Sequence, residues 1–224
     1  MVTDRSGELY RFREGEELRA ISGVPNVRNA SQGGLLDVEV HPNYSQNGYI
    51  YLSFSKPKGV ENTTAVIRAK LENDALVDVE EIFEAQPYVT TRHHYGSRLE
   101  FDREGFLYVS VGDRGRRDDH PQFLNNHCGK VHRIKADGSI PSDNPFVNDP
   151  EAIASIFSYG HRNPQGIATH PTTGEIWDNE HGPRGGVEIN RLEAGKNYGW
   201  PIISYGINYN GTMFTDLTEK EVMV

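Results

Sequence analysis

Apolar and polar residues alternate with a period of two along much of this chain. The stretch GLLDVEVHPNYSQNGYIYLSF, from Gly34, has an alternating strand, a His-containing turn and a second apolar strand. The same order returns as GSRLEFDREGFLYVSVGD from Gly96 and GIATHPTTGEIWDNEHG from Gly166, at Gly-to-Gly steps of 62 and 70 residues. Between these lie GELYRFREG (7–15), TAVIRAKLEND (64–74), GKVHRIKADG (129–138) and GVEINRLEAG (186–195). Each is a short alternating strand followed by a turn, with an arginine near its middle. Those arginines, Arg11, Arg68, Arg133 and Arg191, recur at steps of 57, 65 and 58 residues. Period-two alternation closed by Gly, Asp and Asn turns predicts antiparallel strands. No segment sustains helical periodicity for more than a turn or two.

Two interleaved strand-pair units at this spacing imply about four strands per repeat. Radial four-stranded sheets are the blades of a β-propeller. A blade commonly takes about 40–50 residues, so the longer steps predict inserted loops, where function concentrates. A β-sandwich of unrelated strands is the competing architecture, and the double periodicity favours the propeller. The chain holds between three and four repeats, so it reads as one partial propeller domain over residues 1–224, part of a larger ring.

Composition narrows the function. The 224 residues are 36% hydrophobic and 25% charged, with 23 Gly and 12 Pro, as expected of a turn-rich globular chain. A net charge of -9 argues against a nucleic-acid partner. No run of 18 apolar residues is present, so no membrane span is expected. Cys128 is the only cysteine, which excludes an internal disulfide and a cysteine-based zinc cluster. The segment MVTDRSGELYRF lacks the charged start and apolar stretch of a signal peptide.

The inserted loops carry the candidate chemistry: SQGGLLD (31–37), RHHYGSR (92–98), GDRGRRDD (112–119), GHRNPQG (160–166), EHGPRGG (180–186) and NYGWP (197–201). In this order they resemble the PQQ-dependent sugar dehydrogenases of the glucose/sorbosone class, and most closely its broad-specificity soluble aldose members. The resemblance runs from about residue 1 to about residue 210. It implies a six-bladed all-β propeller with the cofactor across the top of the ring, of which this chain carries about four blades.

The resemblance also implies roles. His94 matches the general base that takes the proton of a sugar's anomeric hydroxyl, a task suited to imidazole. Gln32 matches a residue that hydrogen-bonds substrate and cofactor beside the base. Arg162 and Asn163 match the pair that contacts the quinone carbonyls, where a fixed cation stabilises developing negative charge. Gly182 and Pro183 match the backbone carbonyls that hold the cofactor's Ca2+. Glu188, by its carboxylate, and Tyr198, by its carbonyl, match a second calcium site. Val187 stands where the family usually has an aspartate, which removes one carboxylate there. His93 replaces an aspartate of the glucose-specific relatives. The basic residues that bind the cofactor's carboxylates belong to the family's last two blades, so this stretch alone is expected to bind PQQ poorly and to be inactive. The implied partners are an aldose substrate and an external electron acceptor, and the implied compartment is the periplasm or the exterior.

The residues permit other readings. A non-catalytic carbohydrate- or protein-binding propeller, or a Ca2+-dependent lactonase, could use the same fold. The latter wants several carboxylates converging on one ion, where these loops offer His, Arg and Asn. GDRGRRDD does not match the EF-hand pattern, and solvation is enough to account for its charges, so Asp113, Arg116 and Asp118 carry no assigned role. Tyr49, Tyr51, Tyr108 and Trp177 read as inter-blade core, and Asn62-Thr-Thr has the form of a glycosylation triplet.

Overall fold

The computed structural model describes residues 1–224 and contains fourteen strands in four antiparallel sheets. The first sheet is β1 (Val2–Asp4), β2 (Glu8–Arg11) and β3 (Arg19–Ile21). The second is β4 (Leu35–Val40), β5 (Tyr49–Lys58), β6 (Glu61–Glu72) and β7 (Ala75–Glu84). The third is β8 (Leu99–Phe101), β9 (Phe106–Val111), β10 (Lys130–Lys135) and β11 (Ile156–Tyr159). The fourth is β12 (Pro164–Thr169), β13 (Ile176–Glu180) and β14 (Glu188–Arg191). Within each sheet the strands follow chain order, so every connection is a simple hairpin. The single helix, α1, is one turn over Tyr44–Asn47 in the β4–β5 connection. No helix is long and apolar enough to cross a membrane.

Period-two alternation builds one core per sheet interface. In β5, Ile50, Leu52 and Phe54 face the first sheet and join Leu9, Ile21 and Leu35. Tyr51, between them in sequence, points the other way and packs with Leu99, Phe101, Leu107, Val109 and Ile134 of the third sheet. Tyr108 and Val131 of the third sheet then pack with Ile167 and Ile176 of the fourth. The second and third sheets are therefore buried on both faces, which is why β5 and β9 read as nearly unbroken apolar runs. The first strands of successive sheets, β4, β8 and β12, touch in turn. This is the radial stacking of propeller blades, four of which are present.

Three of the four repeated arginines, Arg68, Arg133 and Arg191, mark equivalent third strands, while Arg11 lies on β2, the second strand of its sheet. Arg68 lies opposite Tyr51, Arg133 opposite Tyr108 and Arg191 opposite Trp177. Arg68 stacks 4.8 Å from the Tyr49 ring and pairs with Glu80 at 2.7 Å. Arg133 stacks 4.4 Å from Phe106 and pairs with Asp143. In the fourth sheet Glu175 takes the place of the aromatic and pairs with Arg191 at 3.1 Å. Tyr51 and Tyr108 occupy the expected inter-blade cores, and Tyr49 packs at the edge of one. Trp177 differs: it is half-buried, on the face of β13 away from the third sheet. Asn62 is fully buried and bonded to Arg114 and Tyr95, so it serves the fold and offers no surface for a glycan.

Candidate functional site

The site is built at one end of the blades, from loops that enter a first strand, carrying Gln32, His94 and Arg162, and loops that leave a second strand, carrying Asp113 and Gly182–Pro183. His94 sits on the 92–98 loop before β8, in the left-handed region at φ 55°. Its backbone carbonyl lies so close to Gly112, at the end of β9, that any Cβ there would overlap it. The loop is held from below by Arg114, a buried guanidinium 3.8 Å from the Tyr95 ring centroid. Arg114 donates to the carbonyls of His93 (3.1 Å) and Thr91 (2.8 Å) and to Asn62 Oδ1 (2.7 Å).

Asp113 corrects the expectation of a solvated loop charge: it is 1% exposed and its carboxylate is the partner of the histidine. His94 Nδ1 lies 2.7 Å from Asp113 Oδ1. Asp113 also accepts from the Gly115 N–H at 2.7 Å and from Trp200 Nε1 at 2.9 Å. Burial alone raises a carboxyl pKa, but the hydrogen bonds from His94, Gly115 and Trp200 outweigh it and hold Asp113 below the usual carboxylate range. An ionised Asp113 has only acceptors to offer. The proton of a neutral His94 therefore rests on Nδ1, and Nε2 carries the free lone pair. Arg116 and Asp118, by contrast, are surface charges, as expected.

A cavity of about 290 Å³ opens over this pair, lined by His93, His94, Asp113, Arg162, Pro183 and Trp200 among others. His93 meets His94 edge-on at 4.7 Å, and burial lowers its pKa. Gln32 accepts the His94 N–H at 2.7 Å, and its amide nitrogen makes no hydrogen bond within the chain. Arg162 donates to the His181 carbonyl at 2.7 Å and lies 5.4 Å from Trp200 and 5.9 Å from Tyr209. Asn163 is 1% exposed and lies behind the cavity wall, its Oδ1 accepting the Gly96 N–H at 3.0 Å. The fold thus gathers His94, Arg162 and Pro183 at one cavity, with Gln32 tied to the His94 backbone and Asn163 in the layer beneath.

Gly182 has no room for a side chain, since a Cβ would strike the Gly186 carbonyl. The Gly182 carbonyl accepts no hydrogen bond, while that of Pro183 accepts the Gly186 N–H at 3.0 Å. Glu188 and Tyr198 line a second, larger cavity of about 650 Å³ that contains neither His94 nor Arg162. The Glu188 carboxylate has only the Asn190 amide beside it as a donor, and the Tyr198 carbonyl accepts no backbone hydrogen bond. Burial, then the charge of Glu180, pushes Glu188 up to about 7. Uncommitted carboxylate and carbonyl oxygens are the hard donors calcium takes, so both sets fit that ion chemically. Val187, next to Glu188, is exposed and adds no ligand.

Sequence reasoning missed two site residues, Asp113 and Trp200. Trp200 had a signal, the NYGWP motif, but its bond to Asp113 spans 87 residues.

A family profile described as Glucose / Sorbosone dehydrogenase matches residues 1–224. The chain is 44% identical over 215 residues to aldose sugar dehydrogenase YliI of Escherichia coli (strain K12), covering 94% of this chain and 58% of that protein. The crystal structure of the soluble aldose sugar dehydrogenase from E. coli in its apo-form superposes with a TM-score of 0.95 at 40% identity, over 99% of this chain and 65% of that one. The PQQ-bound aldose sugar dehydrogenase from Streptomyces coelicolor superposes at 0.77 with 26% identity, over 88% and 57%. The chain thus spans about three-fifths of the proteins it matches.

Proposed function

The chain belongs to the glucose/sorbosone dehydrogenase family, and on that premise we propose that it carries the base-bearing part of an enzyme that oxidises the anomeric carbon of aldose sugars to a lactone. The observation that carries this reading is the His94–Asp113 pair, 2.7 Å apart, at the wall of a cavity shared with Arg162 and Pro183.

His94 Nε2 accepts the proton of the anomeric hydroxyl. Asp113 keeps the other ring nitrogen protonated and stabilises the imidazolium that forms. Gln32, tied to the His94 backbone, has a free amide N–H to hold a sugar or carbonyl oxygen beside the base. Arg162, fixed by His181 and stacked among aromatics, offers a positive charge across the cavity. His93, Trp200 and Tyr209 form the rings against which a flat ligand or a sugar face can pack. PQQ, when bound, supplies the two-electron acceptor, and Ca2+ at Gly182–Pro183 supplies a Lewis acid. Loss of the hydroxyl proton to His94 and of hydride from the same carbon leaves the lactone. Glu188 and Tyr198 would hold a second Ca2+ at the larger cavity. An external acceptor and a periplasmic or exterior location complete the reading.

The test uses the full-length protein with PQQ and Ca2+, assayed for dye reduction with several aldoses. Sugar-dependent reduction is expected, and H94Q should abolish it while PQQ still binds. A folded sample that gives no sugar-dependent reduction overturns the reading. Sugar binding without PQQ affinity would favour a binding propeller, and lactone hydrolysis without PQQ a lactonase.

A further inference from the structure

The alternation that builds the third inter-blade core ends in charge. On β13, Ile176 packs in that core, and the next two positions on the same face are Asp178 and Glu180. Against them comes His161, from the turn between β11 and β12, stacked 4.7 Å from the Tyr198 ring. His161 Nδ1 lies 3.1 Å from Glu180 Oε1 and 3.6 Å from Asp178 Oδ2, with side-chain exposures of 0%, 2% and 0%. One ligand atom from each residue lies within 4.8 Å of the others.

Three features make this more than a chance cluster. Both oxygens of Asp178 are buried, and no donor meets either with good hydrogen-bond geometry, Asn190 on the paired strand being the nearest. A buried carboxylate so poorly paired is strongly disfavoured unless it takes up a proton or a cation faces it, and burial pushes Asp178 up to about 7. Second, the flanking bonds aim the ligand atoms inward. Ser158 Oγ sits 2.8 Å from His161 Nε2, and with the ring proton on Nε2 the lone pair of Nδ1 faces the carboxylates. Glu180 is held by the N–H groups of Arg162 (2.6 Å) and Asn163 (3.2 Å) and by Asn190 Nδ2 (3.3 Å). Such outer contacts are the ordinary orienters of metal ligands. Third, the spacing suits a small ion: bonds of about 2.0–2.2 Å place tetrahedral ligand atoms about 3.3–3.6 Å apart.

We propose that His161, Asp178 and Glu180 form a buried three-ligand site for a first-row divalent cation of the Zn2+ or Mn2+ class. One imidazole and two carboxylates suit such an ion better than Ca2+, which takes six to eight oxygens. None of its three residues lines either calcium-candidate cavity, although Glu180 is paired across the strands with Glu188. Its role is structural. Glu180 receives the backbone N–H groups of Arg162 and Asn163, so an ion that fixes Glu180 also fixes the turn carrying Arg162 into the cavity. The proposal stands independently of the sugar-oxidation reading.

The test measures metal directly in the full-length protein. Wild type is purified without added metal, then refolded from denaturant with Zn2+ or Co2+ to give access to the buried site. The expected result is one equivalent of Zn2+, Mn2+ or Co2+ per chain by elemental mass spectrometry. It should survive excess of a calcium-selective chelator, and the Co2+ form should show visible d–d absorption. H161Q and D178N should lose it, and E188Q should retain it. Folded wild type without a stoichiometric first-row metal overturns the proposal, with no variant needed. So does undiminished metal in D178N, or a 15N spectrum showing His161 as an imidazolium after refolding with Zn2+.

Discussion

Replacing Asp113 by Asn tests the central pair with almost no change in volume. Three N–H donors converge on this carboxylate, from His94, Gly115 and Trp200. An amide offers only one acceptor oxygen. If that oxygen stays with His94 and Gly115, the buried Trp200 N–H faces an NH2 group and loses its acceptor, at about 1–3 kcal/mol of stability. If the amide turns over, its NH2 faces His94 Nδ1, and the proton moves to Nε2, the atom that must accept one. In both orientations the imidazolium loses its counter-charge. At an effective dielectric of 20, unit charges about 4 Å apart interact by about 4 kcal/mol, or roughly 10³ in rate. The expected result is a fall in kcat of about 10²–10³ in dye-linked sugar oxidation at saturating PQQ and Ca2+, with PQQ affinity within about threefold of wild type. The double variant D113N/H94Q should be no slower than H94Q, because Asp113 acts through His94. A folded D113N within tenfold of wild type, or additive losses in the double variant, would refute the reasoning. Acid stability gives a second readout. Asp113 has a folded pKa below its ordinary 3.8, so its stabilisation is complete above that value and is lost as pH falls below it. That part of the acid limb should flatten in D113N.

Other consequences follow from buried polar groups away from the cavity. His127 is held by burial at a pKa of about 4, against an ordinary 6.5. Its unfolded form takes up a proton first as pH falls, so stability should drop between 6.5 and about 4, by about 3 kcal/mol at most; urea melts of H127Q should show a shallower slope. Lys130 is buried, its ammonium donating to the carbonyls of His120 and Cys128, each at 2.7 Å. K130M strands those acceptors and should cost about 2–5 kcal/mol in chemical denaturation. R114K removes the fork that ties His93, Thr91 and Asn62 together, and should lower stability by about 2–4 kcal/mol while reducing kcat through the His94 loop. Asn62 should remain unmodified by mass spectrometry when the protein is secreted from a glycosylating host, since its side chain is fully buried.

The parts of this fold that were legible in the sequence are those whose burial is decided locally. The pairs β4–β5, β8–β9 and β12–β13 announce themselves because each has a face against a neighbouring blade, and period-two alternation records it. The arginine-marked strands are legible for the same reason. The outer strands are not. In β7 the run Asp78–Glu81 holds one apolar residue, Val79, and is exposed throughout, so hydrophobicity does not distinguish it from a loop. β11 is only four residues long and follows a connection without alternation. Asp113 is the sharper case. In GDRGRRDD nothing separates it from Asp118 or Asp119, which are solvated. What buries it is Trp200, 87 residues later, whose indole closes over the carboxylate while His94 approaches from 19 residues before. Asp178 is equally silent in the sequence, since its burial exists only once His161 and Glu180 pack beside it. A carboxylate's burial and its protonation belong to the assembled loops, whereas the alternation that builds the blades is written strand by strand. Chemistry in this architecture is therefore legible chiefly where a motif names it, as RHHYGSR and GHRNPQG do, and becomes visible elsewhere when the blades bring distant loops into contact.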